Sequence, residues 1–415
     1  MTLESEGEMA IPKVLAIVLA GGEGTRLNPL TAERSKPAVP FGGRYRLVDF
    51  VLSNLVNSEI HSIYLLVQYK SQSLIEHVRR AWSVSNIIAD HFVTVVPPQM
   101  RGGPDWFQGT ADAVYQNLGL IEHHRPDIVA VFGADHIYRM DISQMIQFHL
   151  DHQADMTVAA LPVPLDQGHN FGIITQDNSS RIIDFQEKPA QPKPIPGDPQ
   201  HCLSSMGNYL FKTQVLIDAL EEAHARGEKD FGHDVLPKLM RTHKVCTYDF
   251  TSNQIPGVKA YEEPAYWRDV GNFESYHAAH MDLLGLQPRF DTFNPDWPIY
   301  SDHYFGPEAR IISGEIQNCI IGGGAVINGG NIRNSVIRHE VMIEPDVDIE
   351  DCIIMDYCVI SRGSRLRRAI IGRYNLIEPD TVIGYHPAVD REHYHISPSG
   401  IVVVPKGRRG QIRVY

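Results

Sequence analysis

The chain has 415 residues, 43% of them hydrophobic and 21% charged, with a formal net charge of −13. That length predicts more than one domain and the composition that of a soluble globular protein; the acidic balance excludes a nucleic-acid binder, because phosphate backbones select basic surfaces. A nucleotide substrate stays open, since it needs positive potential in one cleft only.

Met1 to Met9 is acidic and polar and lacks the basic start of a signal peptide, so residues 1–12 read as a tail. The apolar run from Val14 to Ala20 is too short to cross a bilayer and reads as a buried strand, and no membrane partner is expected. From Lys13 to Leu286, apolar runs alternate with helical stretches. Strands are expected over 63–68, 128–133 and 154–161, and helices over 71–82 and 142–152, the latter capped by Asp141. Such alternation predicts an α/β domain over 13–286 with a mostly parallel sheet.

Residues 287–310 read as a linker, punctuated by Pro288, Pro295, Pro298 and Pro307. Beyond it the period changes. Val341, Val347, Ile353, Val359, Ile371, Ile377 and Ile383 recur every six positions, interrupted at Arg365, and Ile337, Ile343 and Ile349 share a second register. Neither a helix nor a strand has that period; a triangular β-helix does, at about six residues per side. Residues 311–415 are therefore expected to be a β-helix with a C-terminal extension. Five scattered cysteines (Cys202, Cys246, Cys319, Cys352, Cys358) without a C-x-x-C pair predict reduced thiols in a cytoplasmic protein.

Gly21-Gly22-Glu23-Gly24-Thr25-Arg26 directly follows the first strand. Its glycines allow a tight turn whose N–H groups aim at phosphate oxygens, with Arg26 adding a forked charge. The spacing is neither the dinucleotide fingerprint nor a Walker loop. Lys36, ten residues on, offers a second cation. The run from Leu19 to Leu27, continued by Lys36-Pro37-Ala38-Val39-Pro40-Phe41-Gly42-Gly43, resembles the signature of nucleotide-sugar pyrophosphorylases. It most resembles the glucose-1-phosphate adenylyltransferases of glycogen and starch synthesis, over nearly the whole chain. The resemblance implies a Rossmann-like (GT-A-like) nucleotidyltransferase domain with a mixed, mostly parallel sheet, then a left-handed β-helix of hexapeptide repeats. It also implies a homotetramer that makes ADP-glucose and pyrophosphate from ATP and glucose 1-phosphate.

Asp135, in Gly133-Ala134-Asp135-His136, ends an apolar strand, where open α/β sheets bind ligands. Asp269, in Trp267-Arg268-Asp269-Val270-Gly271, is a second candidate carboxylate, with a plain surface pair to Arg268 as the alternative. Magnesium takes few protein carboxylates, and the resemblance implies that these two hold it. Lys188, in Phe185-Gln186-Glu187-Lys188-Pro189, suits a sugar phosphate as a point charge. By resemblance Lys188 meets that phosphate, Glu187 the sugar hydroxyls, and Phe107, Gly172, Ser205 and Asp269 complete the glucose 1-phosphate site. ATP is assigned to Leu19, Gly21, Gly22, Gly24, Thr25, Arg26, Lys36, Gln68, Gln99, Gly109, Thr110 and Asp135, with Gln68 and Gln99 reading adenine. Catalysis falls to Arg26, Asp135, Lys188 and Asp269. The run Trp106-Phe107-Gln108-Gly109-Thr110-Ala111-Asp112-Ala113 resembles the segment that separates adenylyl-transferring members from their uridylyl and thymidylyl relatives.

Family members respond to anionic metabolites. Arg34, Arg44 and Arg46, with Arg408, Arg409 and Arg413, are the cations expected to receive a phosphorylated or other anionic effector, a solvated basic tail being an equal reading of the last three. Three rivals remain. A GDP-mannose or UDP-sugar pyrophosphorylase would differ in nucleotide preference. An acyltransferase would need a positioned histidine, and the repeats hold only His339 before His386. A regulatory subunit would lack the phosphate and metal residues, all of which are present.

Overall fold

The computed structural model describes residues 12–82, 90–99 and 106–409. Strand Val14–Ala20 is apolar on both faces: Ala16, Val18 and Ala20 enter one buried layer, Leu15 and Ile17 the other. It therefore lies inside a nine-stranded sheet. Parallel strands Ser62–Val67 and Ile128–Gly133 flank it, and Phe92–Val96 pairs beyond the first. On the other side the long strand His201–Lys212 runs antiparallel to Ile128–Gly133, Met156–Pro164 and Gly172–Gln176, and Ile182–Glu187 closes that edge. The sheet is mixed, parallel beside the glycine turn and mostly antiparallel beyond it, where Val245–Asp249 adds a parallel pair with Met156–Pro164. The register of His201–Lys212 slips between Ser205 and Tyr209, across Gly207 with its φ of 71°, and a slip of this kind bends a strand. Helix Ile142–Asp151 starts where its cap predicts: the Asp141 carboxylate accepts a 2.9 Å bond from the Ser143 N–H.

From Arg310 onward the chain winds through parallel rungs. Ile332 pairs in register with Ile349, Ile349 with Leu366, and Leu366 with Ile383. Ile327, Ile343, Ile360 and Ile377 form a second ladder, and Ile337, Ile354 and Ile371 a third. All of them share one buried interior, the hexapeptide-repeat architecture of a left-handed β-helix. From Ile349 to its rung partner Leu366 one coil takes 17 residues, so one side in three advances by five and not six. That shorter step explains the interruption at Arg365. Arg365 points outward over the Tyr385 ring, while Leu366 fills the interior. Corners repeat with the coil: Asn334, Asp351 and Arg368 all adopt positive φ, as do Glu340, Tyr357 and Tyr374. After Val382–Ile383 the chain leaves for helix Pro387–His393 and returns as Val402–Val404, which pairs with Ala369–Ile371.

The two halves share an apolar layer. Phe41, Phe50, Tyr276 and Phe290 pack with Ile353, Met355, Ile370 and Val403 of the coils. The proline-rich stretch between them is fastened to helix Leu47–Asn57. Trp297 is buried and donates to Asn54 Oδ1 at 3.4 Å, Asn57 donates to Pro298 O at 3.0 Å, and Ser301 Oγ donates to the wholly buried Asp49 at 2.6 Å. Among the described residues no helix is long and apolar enough to cross a membrane, and the five cysteines are free.

Candidate active site

The carboxyl ends of the central parallel strands open into a cleft of about 730 Å³ lined by the glycine turn. Gly24 has a φ of 64°, and a β-carbon there would press within 2.9 Å of Lys36 Cβ, so glycine alone lets the turn lie against the lysine segment. Thr31 Oγ1 donates to Gly24 O at 2.9 Å and fixes the turn from behind. Gly109 lies so close to Lys229 O that any β-carbon would collide with it. Thr110 Oγ1 donates to Asp230 Oδ2 and accepts from the Phe231 N–H, both at 3.0 Å.

Asp135 follows strand Ile128–Gly133, and Asp269 ends strand Trp267–Asp269, whose antiparallel pairing sets Asp269 opposite His136. Two carboxylates distant in sequence thus come together, and Lys36 lies between them. Its Nζ is 2.8 Å from Asp135 Oδ2 and 3.0 Å from Asp269 Oδ1. Burial pushes the Asp135 pKa up, but Lys36, His136 and hydrogen bonds outweigh it and hold the carboxyl well below the usual range. Burial likewise pulls Lys36 down, and the two carboxylates more than reverse it. Lys36 and Asp135 thus hold each other in their ionised forms. The Arg26 guanidinium and the Asp269 carboxylate both lie against Gly271, where a β-carbon would come within 3.1 and 3.3 Å of them. Arg268 makes no surface pair with Asp269 among the described contacts; it binds Glu263 at 2.6 Å and Asp282 at 3.1 Å.

On the sugar side, Lys188 follows strand Ile182–Glu187 in a left-handed conformation (φ 45°), its N–H donating to Phe171 O at 3.0 Å. The side chain is 64% exposed and pairs with Glu187 Oε1 at 2.9 Å, leaving it accessible to a ligand. Gly172 stands opposite Glu187 in the strand register. Gln68 and Phe107 line the cleft together, Gln68 Nε2 donating to Phe107 O at 3.1 Å. Leu19, Gly21, Gly22, Thr25, Arg26 and Asp135 line it too. Ser205 does not. It is buried at the strand slip, where its Oγ accepts from the Gly207 N–H at 3.2 Å, and Gly207 and Tyr209 face the cleft. Gln99 is exposed, donates to Pro97 O at 2.7 Å and stands outside the lining. Sequence reasoning missed Tyr209, Asp230 and Gly232, which line the cleft. The available signal was local only: Asp230 caps the next turn, accepting from the Gly232 and His233 N–H groups.

A second cavity, of about 420 Å³, opens between the halves beside Arg44, Tyr45, His303, Tyr304 and His339. In the same junction four arginines gather around Asp356. Arg338 Nε and Arg373 Nε reach its two oxygens at 2.9 and 3.1 Å. Arg46 Nη1 is bound by Ser73 Oγ at 2.8 Å, whereas buried Arg34 Nη1 has no hydrogen-bond partner among the described residues. Burial and neighbouring arginines pull Arg34 and Arg46 down to about 10. Burial pushes Asp356 up, but Arg338 and Arg373 bring it down to about 2. Arg44 donates to Asp302 O at 3.3 Å, Arg408 is exposed, and Arg409 lies 6.0 Å from the Tyr374 ring centre. Arg413 lies outside the described residues.

A family model described as Nucleotidyl transferase matches residues 15–285, and one described as GlmU-like, C-terminal hexapeptide matches residues 305–404. A protein named Glucose-1-phosphate adenylyltransferase from Thermodesulfovibrio yellowstonii is 57% identical over 96% of this chain and 97% of its own length. The chain belongs to the glucose-1-phosphate adenylyltransferase family. Proteins of the same name from Thermus thermophilus and Photobacterium profundum are 47% and 46% identical, over 96% and 95% of this chain and 99% and 98% of their own. This chain is thus a nucleotidyltransferase, an enzyme class that generally uses a divalent metal. The donor set fits one. Two hard carboxylate oxygens converge on a point already held by a cation, the Lys36 ammonium. No cluster of three potential ligands forms among the described residues, so a metal would draw its remaining oxygens from phosphates and water, as magnesium does.

Proposed function

We propose that this enzyme transfers an adenylyl group from ATP to α-D-glucose 1-phosphate, releasing pyrophosphate and giving ADP-glucose for α-glucan synthesis in the cytoplasm. The observation that carries the reading is one cleft lined by a phosphate-type turn, the Lys188 cation and the Asp135 carboxylate. A sugar-phosphate oxygen attacks the α-phosphorus in line; that bond forms as the bond to pyrophosphate breaks, its electron pair leaving with pyrophosphate. No covalent enzyme intermediate is needed. Arg26 and Lys36 neutralise the triphosphate and Lys188 the sugar phosphate, so two mutually repelling anions are held within reach of each other. Asp135 and Asp269 would hold magnesium, which would supply Lewis-acid neutralisation of the charge that develops on the leaving group. Glu187 orients sugar hydroxyls across from Gly172, Phe107 completes the sugar-phosphate side, and Gln68 reads the base.

Polyphosphate and sugar phosphate follow from the residues; adenine and glucose rest on the relatives' names. Pyrophosphate release with glucose 1-phosphate, magnesium and each of ATP, GTP, UTP and dTTP tests this. A preference for anything but ATP overturns it.

The arginines at the junction support a second part of the proposal, an effector that is a phosphorylated or other anionic metabolite. Arg34, Arg44 and Arg46 receive it from one half, with Arg408, Arg409 and Arg413 from the other. Repeating the assay with a panel of such anions reads this out. A homotetramer is proposed as the working form, checked by light scattering on the eluting peak.

A further inference from the structure

The carboxylates proposed above as metal ligands already hold a cation of the protein's own. Lys36 Nζ reaches both, and its side chain is only 9% exposed. The backbone there is fixed by a short 3-10 turn, Lys36–Ala38, with Pro37 inside it. The glycine turn packs directly on the lysine stem through Gly24. A polyphosphate seated on that turn therefore lies within reach of an ammonium on a flexible four-carbon stem. Charge decides the rest. Two carboxylates and one ammonium leave one net negative charge to attract a divalent cation; without the ammonium the charge is twice that.

We propose that Lys36 is an exchangeable counter-ion, which holds Asp135 and Asp269 together in the resting protein and yields them as nucleotide phosphates take up its ammonium. The inference rests on the assignment of Asp135 and Asp269 as the metal pair. It makes the empty cleft a poor divalent site and the nucleotide-loaded cleft a good one. Lys36 then serves twice, first as a placeholder and then as a phosphate ligand.

Mn²⁺ binding to the full chain, followed by the electron paramagnetic resonance of the free ion, tests this without turnover. In the absence of nucleotide, Lys36→Met should bind Mn²⁺ at least about tenfold more tightly than wild type, because a buried competing charge is gone. Lys36→Arg, which keeps the charge, should stay weak. Adding Asp135→Asn to Lys36→Met should abolish the gain. Mn²⁺ should also raise the melting temperature of Lys36→Met more than that of wild type, a readout that survives a marginally stable variant. Suppose Lys36→Met gains nothing in either measurement while Asp135→Asn still removes the Mn²⁺ bound with ATP; the exchange is then overturned and the metal pair stands. If Asp135→Asn changes Mn²⁺ binding in neither setting, the metal pair falls, and the exchange with it.

Discussion

At the cleft, one lysine lies between two carboxylates; at the junction of the two halves, four arginines lie around one. Both clusters bring together residues far apart in sequence, yet their charges close differently. The cleft cluster is nearly self-sufficient, and Lys36 and Asp135 are pushed toward their ionised forms. The junction carries surplus positive charge, and burial makes Arg34 and Arg46 easier to deprotonate than a free arginine. A buried charge left unmatched costs stability until a counter-ion arrives. On the proposals above, the first cluster exchanges a cation and the second receives an anion.

That contrast breaks most sharply at Asp135. Asp135→Asn should lower kcat by about 10³-fold, the scale of losing one positioned electrostatic group, with the melting curve still cooperative. Near-normal turnover would make the cleft cluster merely structural. Lys188→Ala comes next: the KM for glucose 1-phosphate should rise by about 10²-fold, with a smaller change in kcat, in initial-rate kinetics.

A third test is pH, because His280 borders the junction. Its Nε2 accepts from the Gly42 N–H at 3.1 Å and its Nδ1 donates to Tyr276 O at 2.8 Å, so no lone pair is left for a second proton. Burial pulls its pKa down to about 3. The unfolded chain takes up that proton near 6.5, so its contribution is fully present above 6.5 and is lost as pH falls toward 3. The loss is about 1.4 kcal/mol per pH unit within the window. Urea unfolding across it should show the slope in wild type and a flatter one in His280→Gln; equal slopes would remove His280 from the account. The smallest effect is expected from Arg34→Gln. Relieving one unmatched charge should change anion-free stability by about 1 kcal/mol or less, toward higher stability, and leave the basal rate near wild type. The response to anionic metabolites should be lost, and a full response would return Arg34 to a structural role.

The sequence carried the repeating and local features well. The Asp141 cap, the apolar core strand and the inward isoleucines are periodic or short-range, and a pattern along the chain displays them. The six-residue register still failed at Arg365, because a coil closes in 17 residues and a fixed period drifts against it. The cleft residues recognised by motif mostly line one cavity. What no motif displayed was the Lys36 bridge, whose partners lie 99 and 233 residues away. Ser205 stands outside the lining for a related reason: it sits at a slip in strand register, where its hydroxyl accepts from the Gly207 N–H, and such slips have no composition of their own. Asp230 reads locally as a turn residue, and only the approach of Gly109 to Lys229 brings it to the cleft.

The coil also sets a rule for the length of the second half. Each rung rests on the one before it, so the domain lengthens or shortens most readily by whole turns of 16 or 17 residues. Seventeen residues added at a corner such as Asp380 would leave every inward ladder filled and simply displace the end of the stack. Two or three added at the same corner would take Ile383 out of register with Leu366. The excursion that carries helix Pro387–His393 is free of that constraint, because the chain there has already left the ladders and owes them no register.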